Sequence, residues 1–103
     1  MIDWDRVQEL KDEIGEEDFA EVAEIFIAEV EEVIDRLKAS PDPAKYEEDL
    51  HFLKSSSLNL GFSHLASLCQ TGERAAASGN ADSVDLAPVF ASYEASKSAF
   101  LEA

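Results

Sequence analysis

From residue 16 to residue 40 the apolar side chains recur in steps of three and four: Phe19, Val22, Ala23, Phe26, Ile27, Val30, Val33, Ile34 and Leu37. That spacing draws one continuous stripe along a helix. Glu21, Glu24, Glu31, Glu32 and Asp35 take the opposite face. The helix is expected to stop before Ser40-Pro41-Asp42-Pro43, because proline removes a backbone donor and clashes with the preceding turn. A shorter helix is predicted ahead of it, over about 3–14, with Val7, Leu10 and Ile14 inward and Gly15 as its stop. After the prolines, residues 44–60 read as helix, with Tyr46, Leu50, Leu53, Ser57 and Leu60 on one line and Gly61 as the break. Ser63 is placed to cap the next helix, which runs to about Ser78 with Leu65, Leu68, Cys69, Gly72 and Ala76 inward. The last helix is expected from Asp82 or Asp85 almost to the C-terminus, with Leu86, Val89, Phe90, Tyr93 and Phe100 inward. Pro88 is compatible with it only in the first turn or at a kink.

No segment alternates as a strand does, and no internal repeat is visible. The expected fold is therefore all-α: an antiparallel up-and-down four-helix bundle with a short additional N-terminal helix. Its 103 residues suit a single domain over residues 1–103. Burial of the stripes, rather than helix propensity, should hold it together.

Charge narrows the function classes. Eight Lys and Arg stand against 23 Asp and Glu, a formal net charge of −15. Nucleic acid and anionic membranes are poor partners for such a chain, since both are bound by cationic side chains. A 46% apolar content is too high for an acidic disordered tail. The lone Cys69 permits no internal disulfide, which suits a reducing compartment. No apolar run approaches the roughly 18 residues of a membrane span, and the acidic start lacks a signal-peptide pattern. The expected location is the cytoplasm, and the expected state is a monomer.

The acids are unevenly spread. Residues 1–49 hold 18 of the 23, residues 73–103 the other five, and residues 50–72 none. Within that window the only formal charge is Lys54, with His51 and His64 beside it. One reading is that these helices are simply more buried. The other is a surface patch kept clear of negative charge for an anionic group. Ser55, Ser56, Ser57, Asn59, Ser63 and Ser67 favour the second, because they have no need of burial.

On a helical wheel Leu50, Leu53, Ser57 and Leu60 share one side, and Glu47, His51, Lys54, Ser55 and Leu58 lie roughly 120° away. His51 thus stands outside the core stripe, with Lys54 at i+3 and Ser55 at i+4 as surface neighbours. A nearby ammonium disfavours imidazolium, keeps a ring nitrogen free, and could balance an attached phosphoryl group. Small Ser55 leaves the ring accessible, and exposed Leu58 offers a docking contact. His51 lies ten residues before Gly61 and Glu73 twelve after it. Folded at the glycine, the two reach similar heights, roughly 15–18 Å from the turn. A carboxylate there can accept a hydrogen bond from the ring and fix its tautomer. Gly72 permits the close approach of the two helices.

The run His51-Phe52-Leu53-Lys54-Ser55-Ser56-Ser57-Leu58-Asn59-Leu60-Gly61 resembles the signature of histidine-containing phosphotransfer (HPt) domains. That signature is His-x-Leu-Lys-Gly-Ser-Ser or a close variant, followed by a hydrophobic residue and a glycine ten positions after the histidine. The stretch from Phe62 to Glu73 resembles the family's next helix. The resemblance implies that His51 accepts the phosphoryl group, that Lys54 supports it, and that Glu73 fills a position where the family carries Gln or Glu. Glu there is similar to the phosphotransfer modules of chemotaxis-type kinases. Ser55 stands where a glycine usually follows the lysine.

The implied activity is relay of a phosphoryl group to or from the aspartate of response-regulator receiver domains, with hybrid histidine kinases as further partners. The chain lacks a Gly-rich nucleotide loop and a P-loop, so it is expected to be a phosphocarrier and not a kinase. No cofactor is expected on it; Mg²⁺ would come with the receiver. Two other readings stay open. The acidic faces could make the chain a non-catalytic helical adaptor that docks a partner without being phosphorylated. A metal site from His51, His64 and nearby carboxylates is the third. Thirteen residues separate the two histidines, no tight His-x-x-x-His pair exists, and no metal is expected.

Overall fold

The computed structural model describes residues 2–102. Among them five α-helices and two short 3₁₀ turns account for all regular structure, and no strand occurs. The helices are α1 (Trp4–Ile14), α2 (Glu16–Ala39), α3 (Tyr46–Leu60), α4 (Ser63–Ala77) and α5 (Ala87–Glu102). A short leading helix followed by four longer ones is the order the sequence predicts.

Three boundaries differ from expectation. Pro43–Lys45 forms a separate 3₁₀ turn, so α3 begins at Tyr46. Asp42 accepts a bond from the Ala44 amide at 3.1 Å, and this local turn competes with an earlier helical start. Ser63 is the first helical residue, not the cap; Phe62 occupies the cap position, its side chain in the core. A second 3₁₀ turn, Ala81–Ser83, delays α5 to Ala87, and Pro88 sits in its first turn, where its missing N–H costs nothing.

The 24 residues of α2 set the long axis of the 42 × 23 × 19 Å molecule. Val30, Ile34 and Leu37 of α2 are buried with Leu50, Leu53 and Leu60 of α3, Leu65 and Cys69 of α4, and Tyr93 of α5. Burying each large aliphatic side chain stabilises the fold by roughly 1.5–3 kcal/mol. Phe19, Phe26 and Val33, also in the expected stripe, are only partly buried and flank this core. At one end Phe100 packs edge-on against Phe62, ring centroids 5.6 Å apart, and against Phe19 at 6.0 Å.

The hairpin of α3 and α4 carries the site. Gly61 turns the chain at φ +78, a left-handed conformation that favours glycine. The Asp3 amide donates to the Gly61 carbonyl at 2.6 Å, and a Cβ on Gly61 would stand 2.6 Å from the Asp3 carbonyl oxygen. The start of α1 is thereby pinned to the hairpin turn. Lower down, a Cβ on Gly72 would meet Leu50 Cδ1 at 2.8 Å. Its absence lets α4 close on α3 and fixes their register. At the base of α3, Arg36 of α2 donates twice to Asp49, at 2.7 and 3.1 Å. Asp49 is buried, and this bidentate pair orients the first turn of α3 against α2.

Candidate functional site

His51 projects from the middle of α3, on the flank away from Leu50 and Leu53; its side chain is 61% exposed. Glu73 of α4 reaches it from across the hairpin. The distance from His51 Nδ1 to Glu73 Oε2 is 2.8 Å. The other carboxylate oxygen, Oε1, lies 2.8 Å from Lys54 Nζ, in an ion pair rather than a well-aligned hydrogen bond. One carboxylate thus serves two partners. Lys54 is mostly covered, at 23% exposure, and Glu73 at 18%.

The protonation pattern follows from these contacts. The Lys54 ammonium holds the Glu73 carboxyl below its ordinary value of 4.5; partial burial pushes the other way, and the bond to His51 adds to the lowering. Glu73 is therefore ionised at neutral pH. An ionised carboxylate only accepts, so Nδ1 must carry the proton it donates. In the neutral ring Nε2 is then the bare nitrogen, with its lone pair available. No hydrogen bond or ion pair engages Nε2 among the described residues.

Ser55 and Leu58 follow on the same flank, toward Gly61. Both are exposed, Leu58 at 54%. The structure thus brings His51, Lys54 and Glu73 into contact, with Ser55 and Leu58 on the adjoining surface. His64 lies in the first turn of α4, and no hydrogen bond joins it to His51 among the described residues. Among the described residues no group of three or more His, Cys, Asp or Glu side chains is arranged to hold a metal ion. Cys69 is fully buried, and burial pushes its thiol up to about 12, which keeps it protonated.

Two features depart from the sequence reading. Lys54 does not act on the ring as an isolated cation, because Glu73 answers its charge. Nor is the surroundings of His51 free of acid. A recess of about 510 Å³ beside the ring is lined by Ala44, Glu47, Glu48, His51 and Glu73. The acid-free window spans residues 50–72 in sequence, but folding the hairpin brings its two acidic borders together at the histidine. Toward Gly61 the hairpin itself carries no acid. The wheel already grouped Glu47 with His51; what it could not supply was the second helix that closes the recess.

In chemical terms the site presents one exposed nucleophilic nitrogen, a carboxylate that fixes its tautomer, and an ammonium within reach. No helix among the described residues is long and apolar enough to cross a membrane. No match was found among curated proteins or among solved structures. The family model described as Hpt domain matches residues 21–99, from the first turns of α2 almost to the end of α5, and the chain belongs to this family of phosphotransfer modules of two-component signalling.

Proposed function

We propose that this chain is a phosphorelay carrier, a single histidine phosphotransfer domain over residues 1–103, that accepts a phosphoryl group on His51 Nε2. The donors and acceptors are the aspartates of response-regulator receiver domains, with hybrid histidine kinases as sources upstream. The observation that carries this reading is the exposed ring whose Nδ1 is held by Glu73 at 2.8 Å.

In the transfer step the Nε2 lone pair attacks phosphorus on the receiver's aspartyl phosphate. The N–P bond forms as the P–O bond to aspartate breaks, and the carboxylate departs with the bonding pair. The ring becomes a phosphoimidazolium, and its Nδ1–H still donates to the Glu73 carboxylate, which steadies the new positive charge. Lys54, one turn along α3, supports the phosphoryl oxygens. Ser55 leaves room for the incoming receiver, and Leu58 gives it an apolar contact. The receiver supplies the Mg²⁺; this chain supplies the nucleophile and its positioning. The bundle binds no ATP and acts as a carrier, as a monomer in the cytoplasm. In this reading α2 to α5 form an antiparallel up-and-down four-helix frame, with α1 added at the turn of the α3–α4 hairpin.

The test is incubation with a receiver domain carrying labelled aspartyl phosphate. Acid-labile, base-stable label should move to this chain and be lost in His51→Gln. Label that persists in that variant would refute the assignment. A pure adaptor predicts no label at all, with binding that weakens steadily as salt is raised.

A further inference from the structure

The charges facing the His51 ring come from two helices: Glu47, Glu48 and Lys54 on α3, and Glu73 on α4. Lys54 and Glu73 answer each other at 2.8 Å. Glu48 lies in the field of Arg36. Glu47 makes no side-chain hydrogen bond or ion pair among the described residues. Lys45, in the 3₁₀ turn before α3, forms no ion pair with it among the described residues. Glu47 is one turn before His51 on the same face, about 6 Å between Cβ atoms at helical spacing. It is exposed and lines the recess into which the ring opens.

We infer that Glu47 sets the poise of the phosphoryl group on His51, raising the free energy of the phosphohistidine so that the domain passes the group on rather than storing it. The inference rests on His51 being the acceptor. A phosphoryl group on Nε2 brings close to two negative charges near a carboxylate that nothing neutralises. At roughly 8 Å in a water-like dielectric, this repulsion corresponds to about a sixfold change in an equilibrium or rate when unscreened, which screening at about 20 mM salt reduces to about threefold. When the group leaves, the P–Nε2 bond breaks and its electron pair returns to the ring. The phosphoryl then goes to a receiver carboxylate oxygen in transfer, or to water as inorganic phosphate in hydrolysis. Either departure relieves the repulsion, so both are favoured. Glu47 touches none of the reacting atoms; it acts through the field at the ring.

The experiment uses phosphoramidate as a partner-free donor and follows the phosphohistidine by ³¹P NMR, with His51→Gln as the control for site. In Glu47→Gln the phosphohistidine should live about three times longer than in the wild type, and Glu47→Asp should retain the short lifetime. Raising the salt from about 20 mM to 0.5 M should lengthen the wild-type lifetime and leave that of Glu47→Gln nearly unchanged, because only the former is shortened by a screened charge. A merely structural role for Glu47 would produce no such salt dependence. If His51 is labelled but Glu47→Gln decays at the wild-type rate, the inference about Glu47 fails alone. If phosphoramidate never labels His51, the acceptor reading fails and takes this inference with it.

Discussion

The two sides of His51 are unlike. Toward Gly61 the α3–α4 hairpin itself offers Lys54, Ser55 and Leu58, without a single carboxylate of its own between residues 50 and 72. Toward the base of α3 it offers Glu47 and Glu48, with the recess between them and Glu73. The same ring therefore faces a neutral, partly apolar landing surface on one side and negative charge on the other. A chain of net charge −15 cannot keep every acid away from one residue. What it does is separate them: docking on one flank, repulsion on the other, and Glu73 between, tied to both His51 and Lys54.

That contrast can be broken at several points. The largest effect is expected where the two helices meet. Gly72→Val puts a branched side chain against Leu50, already 2.8 Å from a simple Cβ. It should cost about 1–3 kcal/mol of stability in a denaturant titration and displace Glu73 from the ring. Next comes the cation of the neutral flank. Lys54→Ala should slow transfer from a phosphorylated receiver roughly tenfold, equivalent to about 1.4 kcal/mol, with an unchanged helical circular dichroism spectrum. Equal rates for variant and wild type would remove Lys54 from the mechanism. Leu58→Asp carries the acidic character of one flank onto the other. It should weaken receiver docking about fivefold, seen as a raised KM with kcat retained.

The smallest effect is on pH dependence. The Glu73 carboxyl is held below its ordinary 4.5, mainly by Lys54, so the pair contributes stability fully above that value and loses it as pH falls through the lower, folded-state value. The His51–Glu73 contact should therefore survive at pH 5 and disappear only well below 4.5, monitored by ¹⁵N shifts of the imidazole. Loss of the contact above pH 5 would contradict the ordering of charges around Glu73.

Much of this arrangement was legible along the chain because it depends on helix geometry. The stripe of α2, the breaks at Pro41 and Gly61, and the equal heights of His51 and Glu73 all follow from a fixed rise and turn per residue. Gly72 marked the close approach because only the smallest residue fits beside Leu50. The rest depends on which side chains meet across elements. Lys54 looked like a free cation because its partner is nineteen positions away, on the next helix. Asp49 is one of the 18 acids of residues 1–49, and its residue type says nothing of the pairing with Arg36 of α2. The docking of Asp3 onto Gly61 involves backbone groups, which carry no trace in residue type. Ser92 and Ser96 are buried in α5 together with Val89 and Tyr93 of the expected inward line, and their polar side chains gave no reason to place them there.

The most direct measurement is the position of phosphorus on the ring. In a sample with ¹⁵N-labelled histidine, phosphorylated by a receiver, ³¹P–¹⁵N coupling should appear at Nε2 of His51, with Nδ1 still protonated and held by Glu73. Phosphorus found on Nδ1 of His51, on His64 or on a carboxylate would contradict the account.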